Sequence, residues 1–503
     1  MQKRLLLVSI GWLLCSAITG QNLTTRNITL EQAIEIAHAR SPQVQMAQLN
    51  FMAQYWDFRS YKAQFLPSLN LHGNLGNYNR SLVDVRDPET GRISYVANNT
   101  LNNNLSISID QNIPLTGGKV SLNTSLDRLD QFNYGTQIYN SNPLTIHYTQ
   151  PLRSFNELKW RKKTEPLRYE KEKKVYLESM ENITLQTTSQ FFSVLSAQTS
   201  HQKNEENLND TRSMYDIALK RSAIGTVTKS ELLQLELALM NAELTVSNSR
   251  TNLEIALFNF KTYLGISEST SFKLLPPTIA PDVIMEYDFV LGKALQNSSQ
   301  NLSLQLKEIE AQQDVAQAKA AKGIQVELQA NLGFSQTGNS FNEAYRLLKD
   351  QEIVGVSLTM PIYDWGMSRG KVKMAEAKAR LARTQNEQDA IQFQQDIRIK
   401  VMQFNQQGRQ CEISAKALIV AQQRYDITKD RFLNGGITVT DLNTAQKELD
   451  DASGQYISQL STFWGAYFEL RKLSLYDTLF IKKILVRNSI KSLKDKIIEK
   501  EKL

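Results

Sequence analysis

Two stretches of the chain carry the same ladder of apolar and small positions. Leu232, Leu235, Leu239, Ala242, Val246, Ser249, Leu253, Ala256, Phe260 and Tyr263 advance by three or four residues at every step. Leu442, Ala445, Leu449, Ala452, Tyr456, Gln459, Phe463, Ala466, Leu470 and Leu473 do the same. Alternating steps of three and four average about 3.5, the period of a coiled-coil seam. The apolar side is narrow and rich in alanine, so these helices must approach closely and wrap one another. Upstream, Phe393, Ile397, Val401, Phe404, Gly408, Cys411, Ala415 and Leu418 keep the rhythm, which reads Cys411 as a small buried hydrophobe. Very long helices are predicted over roughly 166–223 and 366–433, nearly 90 and 100 Å at about 1.5 Å per residue. Uninterrupted helices of that length indicate a rod or tube.

A second periodicity, of two, marks strands. Leu105, Ile107 and Ile109 alternate with Ser106, Ser108 and Asp110, and Val120 and Leu122 with Ser121 and Asn123. Val326, Leu328, Leu332 and Phe334, then Val354, Val356, Leu358 and Met360, repeat the pattern. Such alternation gives one apolar and one polar face, which suits a soluble sheet over a core as well as a membrane barrel. The helices decide between them, because coiled-coil seams leave no broad apolar face to cover a sheet. A barrel closed between several chains has lipid over its outer side and no free edges. About four strands are predicted in the first half and two in the second, with polar outward loops over 77–100 and 336–351, the first containing the turn Asp87-Pro-Glu-Thr-Gly91.

The unit is written twice. Met214-Tyr-Asp-Ile-Ala-Leu-Lys-Arg221 is similar to Arg424-Tyr-Asp-Ile-Thr-Lys-Asp-Arg431 at an offset of 210 residues, which also pairs Gly225 with Gly435, Glu231 with Asp441 and Pro151 with Pro361. Each copy reads helix, strands, very long helix, tip, helix. The predicted organisation is a signal peptide over 1–20, a first repeat over 21–265, a proline-rich linker over 266–286, a second repeat over 287–476 and a basic tail over 477–503. The leading helices are offset by 257 rather than 210, so the first repeat holds about 47 extra residues ahead of Pro151, and Leu115-Thr-Gly-Gly-Lys119 suggests an added hairpin.

Lys3 and Arg4 precede an apolar run from Leu5 to Leu14 and the small residues Ser16 to Gly20, the pattern of a secretory signal. A lipid anchor on Cys15 requires a small residue before it, where Leu14 stands. The mature chain keeps only Cys411, so no internal disulfide staples it. No further run of about 18 apolar residues exists, and any membrane-spanning part must be made of strands. The formal charge of +7 sits in Lys3, Arg4 and the segment Lys482–Leu503, leaving the body neutral. A nucleic-acid surface is therefore not predicted, and the tail reads as a solvated terminus. The four histidines, at 38, 72, 147 and 201, have no metal-ligand spacing, and no phosphate loop, nucleophile elbow or paired-cysteine site occurs, so neither catalysis, cofactor nor metal is expected.

At the predicted tips, Thr228-Lys-Ser-Glu231 and Thr438-Val-Thr-Asp441 place a hydroxyl three residues before an acid, the arrangement of a capping box. Gly225, Gly435 and Gly436 permit the tight reversal between antiparallel helices. Pro151 and Pro361 read as strand ends leading to helices, and Pro166 as either a first-turn residue or a kink in a helix already begun.

The order of these motifs resembles the TolC family of outer-membrane efflux and secretion ducts. The residues that carry the resemblance are Leu30-Glu-Gln-Ala-Ile-Glu-Ile-Ala with Ser41-Pro42, Phe65-Leu-Pro-Ser-Leu-Asn-Leu71, Met360-Pro-Ile-Tyr-Asp-Trp-Gly366 and Arg431-Phe-Leu-Asn-Gly-Gly-Ile-Thr-Val-Thr-Asp441. The resemblance implies a mainly α fold with membrane β-structure: a homotrimer whose helices form a periplasmic barrel joined to a shared transmembrane β-barrel in the outer-membrane lipid. It also implies a periplasmic adaptor and an inner-membrane transporter as partners, and an acid at Asp441, with Glu231 at the matching tip, in a constricting ring at the periplasmic mouth. Around that ring the sequence departs from the family. Phe432 stands where a tyrosine is found, Ile437 where an arginine is found and Thr444 where a second acid is found, so an apolar constriction is the alternative to a polar latch. Gly225, Gly435 and Gly436 fall where an adaptor would dock. Each half of a family member usually gives two strands, a pattern the extra residues here put in question. The reading that competes with the duct is a periplasmic coiled-coil adaptor or structural protein whose strands form a small soluble domain.

Overall fold

The structure, a computed structural model, describes residues 26–86, 88–225, 227–266, 272–277, 283–434, 436–477 and 482–483. The signal segment, Asp87, Gly435, parts of the proline-rich linker and most of the basic tail lie outside the described residues.

The elements follow in the order β1 (Arg26–Ile28), α1 (Leu30–Arg40), α2 (Pro42–Ala63), β2 (Ser68–Arg86), β3 (Ile93–Ile113), β4 (Gly118–Gln131), β5 (Thr136–Arg153), α3 (Glu157–Ala223), α4 (Lys229–Leu264), β6 (Phe272–Leu274), α5 (Tyr287–Asn297), α6 (Gln300–Lys322), β7 (Gln325–Gly338), α7 (Phe341–Ala344), β8 (Lys349–Thr359), α8 (Met367–Leu433), α9 (Val439–Ser474), β9 (Tyr476–Asp477) and β10 (Lys482–Lys483). Contacts divide them into two compact units. One holds residues up to Gln48, Leu177–Asn297 and the chain from Asp396; the other holds Leu49–Tyr176 and Ser298–Gln395.

The first unit is helical. Its core includes Phe191, Leu195, Phe260, Phe404, Leu449, Phe463 and Tyr467, all almost fully buried. The short β1 and β6 pair in parallel. α4 ends where Gly265 takes a left-handed φ of 69°, and a side chain there would meet the carbonyl of Arg40 at 2.8 Å. The predicted seam of α9 is buried at Leu442, Ala445, Leu449, Phe463 and Leu470, and between Leu449 and Phe463 burial falls one position later, at Ser453, Ile457 and Leu460. A straight helix of 3.6 residues per turn drifts against a strict 3.5 repeat, which displaces the buried face by one residue over that stretch. Cys411 is buried, and burial pushes its thiol up to about 11.

α3 and α8 have 67 residues each. α3 begins nine residues earlier than predicted, where Asn156 accepts from the Lys159 amide at 2.9 Å, so Pro166 lies inside the helix rather than in its first turn. Of the two readings of that proline, the structure has the helix already begun.

The second unit is built on a six-stranded sheet of order β2-β3-β4-β5-β7-β8. Every neighbouring pair is antiparallel. The four strands before α3 and two after α6 match the expected count. Two predicted loops are corrected. Residues 77–100 are mostly strand, because Asn77 to Arg86 pair with Asn102 to Ile93, and cross-strand hydrogen bonds override the poor strand preference of their Asn and Asp. β7 likewise runs to Gly338, with α7 and the start of β8 filling much of 336–351. β5 continues two residues past Pro151, through an irregularity between Pro151 and Arg153, whereas Pro361 does follow the end of β8.

The two faces of the sheet reverse the order of a soluble protein. Leu69, Ile109, Leu122, Ile146 and Leu332 form one apolar row across five strands, and all five are exposed. One residue along, Ser68, Asp110, Ser121, His147 and Asn331 form a polar row on the opposite face. On β3, Ile107 is 43% exposed while its neighbour Ser108 is 9% exposed. Polar side chains are knit together on the sheltered face: Asn70 donates to Asp110 at 2.7 Å, and His147 and Asn331 share a bond of 2.6 Å. A soluble sheet buries the other face, so this one is built for an apolar surrounding.

Candidate functional site

The two helical reversals, α3 to α4 and α8 to α9, lie in the first unit and are built alike. After α3, Gly225 takes a φ of 77°, which costs a residue with no Cβ little, and nothing crowds it. Thr228 then caps α4. Its backbone N–H donates to Glu231 Oε2 at 2.9 Å, and the Glu231 amide donates to Thr228 Oγ1 at 3.2 Å. At the second tip the Thr438 N–H donates to Asp441 Oδ2 at 3.2 Å, and the Asp441 amide returns a bond to Thr438 Oγ1 at 3.3 Å. The shorter Asp side chain closes the box as Glu does. Gly436 donates to the Arg431 carbonyl at 2.9 Å, while Gly435 lies outside the described residues.

Both acids are exposed, and their caps hold them below the usual carboxylate range. For Asp441 the cause is the Thr438 hydroxyl and then the Thr438 N–H; for Glu231 it is the Thr228 N–H and then the hydroxyl. They are therefore ionised at neutral pH. Thr444 turns its hydroxyl onto the Thr440 carbonyl at 2.9 Å, so it is engaged by its own helix.

Between the reversals lies a groove of about 480 Å³. Glu231, Phe432 and Ile437 line it together with Ile224, Val227 and Arg221, whereas Asp441 and Thr444 do not. Of the five residues predicted for an aperture, three thus share one concavity and two stand outside it. Apolar side chains make up most of the groove's lining, but Arg221, Glu231, Asn434 and Thr438 also face it, so its surface is as much polar as apolar. Beneath it Met214, Ala218, Leu235, Tyr425, Val439, Leu442, Ala445 and Leu449 pack into one buried cluster.

The sequence did not single out the polar links between α3 and α8. The Tyr425 hydroxyl and the Lys429 ammonium both reach Asp210 Oδ2, at 2.8 and 2.7 Å. Nearer the tip, Arg221 donates to the Leu433 carbonyl at 2.7 Å. Tyr425 and Lys429 are one turn apart on α8, a visible pairing, but nothing near Asp210 in the sequence names it as their partner. Burial, followed by its bond to Asp210, pushes the Tyr425 hydroxyl upward, so it stays protonated as a donor.

No group of His, Cys, Asp and Glu side chains among the described residues is placed to hold a metal ion. No described helix is long and apolar enough to cross a membrane.

The sequence matches the family model for the outer membrane efflux protein over residues 33–266 and 290–473. Among curated proteins, none matches. Similar solved structures include the Campylobacter jejuni CmeC outer membrane channel, at 16% identity over 92% of this chain and 89% of that one, TM-score 0.64. The outer membrane protein VceC of Vibrio cholerae is 15% identical over 89% of this chain and 95% of its own, TM-score 0.62. A membrane protein from Pseudomonas aeruginosa is 13% identical over 88% and 90%, TM-score 0.64. At such identities the likeness speaks to the fold.

Proposed function

This chain belongs to the outer membrane efflux protein family, and on that premise we propose that it is the passive exit duct of a tripartite efflux or type I secretion system, a homotrimer opened at its periplasmic end. Its place is the outer membrane, with a helical periplasmic extension, and its work is transport without catalysis. A periplasmic adaptor meets the tips around Gly225, Gly435 and Gly436, and an inner-membrane transporter supplies the energy, since the sequence has no phosphate-loop motif.

The observation that carries the reading is the inverted polarity of the six-stranded sheet, with Leu69, Ile109, Leu122, Ile146 and Leu332 exposed and polar residues sheltered behind them. In the outer membrane that apolar face meets lipid. The trimer is supported by apolar stripes that α4 and α8 leave bare. Leu233, Leu237, Met240 and Leu244 on α4 are each 54–63% exposed at steps of four and three, and Ile413, Val420 and Ile427 on α8 repeat every seven residues. These are seams for helices of other copies. Asp441 and Glu231 would set three carboxylates each near the axis of such a trimer, while Phe432 and Ile437 give the closed mouth an apolar constriction. Adaptor contact opens it by shifting the packing of the tip helices.

The test is the location and mass of the native protein. Membranes are fractionated, the outer-membrane fraction is extracted in detergent, and the polypeptide mass is read by light scattering with detergent subtracted. A detergent-dependent particle of three chains is expected. A detergent-free periplasmic monomer or dimer would overturn the duct.

A further inference from the structure

We infer that each chain gives six strands to the membrane wall, so that strand β8 of one copy pairs with β2 of the next and three copies close a barrel of eighteen strands. The inference rests on the trimer proposed above and departs from the two strands per half that the family usually gives.

The added strands are identified by the internal repeat. The offset of 210 that matches Pro151 with Pro361 lays β5 on β8 and places β4 close to β7, so β4–β5 and β7–β8 are the repeated hairpins. The extra residues of the first repeat are then β2 and β3, Ser68 to Ile113. An added hairpin could plug the lumen or lie apart from the barrel, but this one is continuous wall. β3 pairs with β4 from Thr100–Gln131 to Ile113–Gly118 without a shift in register. Both faces also continue across the join. The apolar row runs from Leu122 on β4 to Ile109 and Leu69, and on the sheltered face Asp110 accepts from Asn70 on β2 and from Ser121 on β4. At the helical end, the Gln111 and Asn112 amides donate to the carbonyls of Phe65 and Gln64, at 3.0 and 3.1 Å, fixing β3 to the end of α2.

The edges identify the partner as a second copy. Among the described residues β2 pairs only with β3 and β8 only with β7, which leaves a row of backbone N–H and C=O groups on each outer side. In hydrocarbon each such group left unpaired costs several kcal/mol, so both edges must be closed. With six antiparallel strands in order, β2 and β8 run in opposite directions, and identical copies can join head to tail with antiparallel pairing unbroken. The seam also matches in chemistry. Leu69 and Leu71 on β2, and Val356 and Leu358 on β8, are exposed apolar residues at every second position. Strands about 4.8 Å apart and tilted by roughly 40° close at roughly 36 Å across for eighteen strands, against roughly 24 Å for twelve. The outer end is then a wide polar pore, and discrimination by size falls to the periplasmic mouth.

Cysteine pairs in native membranes test the seam, with the buried Cys411 left in place. Leu69→Cys or Leu71→Cys is combined with Val356→Cys or Leu358→Cys, and Leu69→Cys with Ile109→Cys serves as the within-chain control. Oxidation is expected to give a ladder ending at three chains from at least one β2–β8 combination. If cross-links form instead between Leu122→Cys on β4 and the β8 cysteines, β4 is the edge and the wall has twelve strands. That outcome overturns this inference and leaves the trimeric duct standing. A ladder that stops at two chains, or no product between chains while the control closes, overturns both.

Discussion

The Tyr425 hydroxyl donates to Oδ2 of Asp210 across 2.8 Å, tying α8 to α3. Lys429 reaches the same oxygen, so one carboxylate holds two groups of the neighbouring helix. Hydrogen bonds to a charged partner are worth roughly 1.5–3 kcal/mol each. If opening the mouth moves α8 against α3, this link opposes it. Asp210→Asn is expected to raise the fraction of time the channel conducts in planar bilayers several-fold, and Tyr425→Phe less, because Lys429 remains. Equal closed times in wild type and Asp210→Asn would show that the two helices move together.

Asp441 serves as a cap in the structure and is proposed to line the aperture, and two substitutions separate these roles. Asp441→Asn keeps an oxygen to accept from the Thr438 N–H but removes the charge. It is expected to leave stability nearly unchanged while lowering cation selectivity and block by multivalent cations. Thr438→Ala keeps the charge and removes the hydroxyl, which should cost about 1 kcal/mol of helix stability. Unchanged selectivity and block in Asp441→Asn channels would take Asp441 out of the aperture.

The same caps give the tips a pH dependence of definite sign. Asp441 and Glu231 lie below their ordinary values when folded, so ionisation favours the folded tip. Their contribution is complete above the unfolded values of about 4 and is lost as pH falls through the lower folded ones. Hydrogen exchange of peptides covering the two tips should show constant intrinsic-rate-corrected protection from about pH 8 to pH 5 and loss below about pH 4. Protection that declined between pH 8 and pH 6 would assign the tips to a different titrating group.

Much of this arrangement was legible because its signals are local. Both capping boxes span four residues, and the alternation at Leu105–Ile109 and Val354–Leu358 survives in any context. What escaped depends on partners distant in sequence. Residues 77–100, full of Asn, Ser and Arg, read as loop, and only the pairing of β2 with β3 holds them extended. Asp210 has no local motif, and its partners lie 215 and 219 residues away. The insertion was visible as a difference of offsets, whereas its place in the wall required the register of β3 on β4.

The sheet's inversion predicts opposite behaviour for adjacent residues. Ser106 and Ile107 follow one another on β3, one on each face. A water-soluble thiol reagent should modify Ser106→Cys from the lumen and leave Ile107→Cys unmodified behind lipid. Ile107→Arg should cost about 2–4 kcal/mol if the residue lies near the bilayer midplane, and lower the yield of assembled protein accordingly. Equal labelling of the two cysteines would mean that both faces meet water.

Glu181 on α3 and Arg471 on α9 form a sheltered ion pair of the helical unit, at 2.5 Å, with side chains 6% and 16% exposed. Burial pushes the Glu181 carboxyl up, and Arg471 pulls it back towards ionisation. Removing one partner of such a pair strands the other charge, at a cost of roughly 3–5 kcal/mol, whereas replacing both by apolar residues of similar size is often neutral. Arg471→Met alone should therefore lower the apparent Tm markedly at pH 8, and Glu181→Leu with Arg471→Met should restore most of the loss. Without Arg471 the folded Glu181 takes up a proton more readily than the unfolded chain does, so the single variant should regain stability as pH is lowered towards 5. Asp477 shares Arg471 but also accepts from Tyr467, so it keeps a partner when the arginine is gone. A double variant as unstable as Arg471→Met, with no recovery on acidification, would place the cost in the lost packing of Arg471 over the Phe468 ring instead of in the stranded charge.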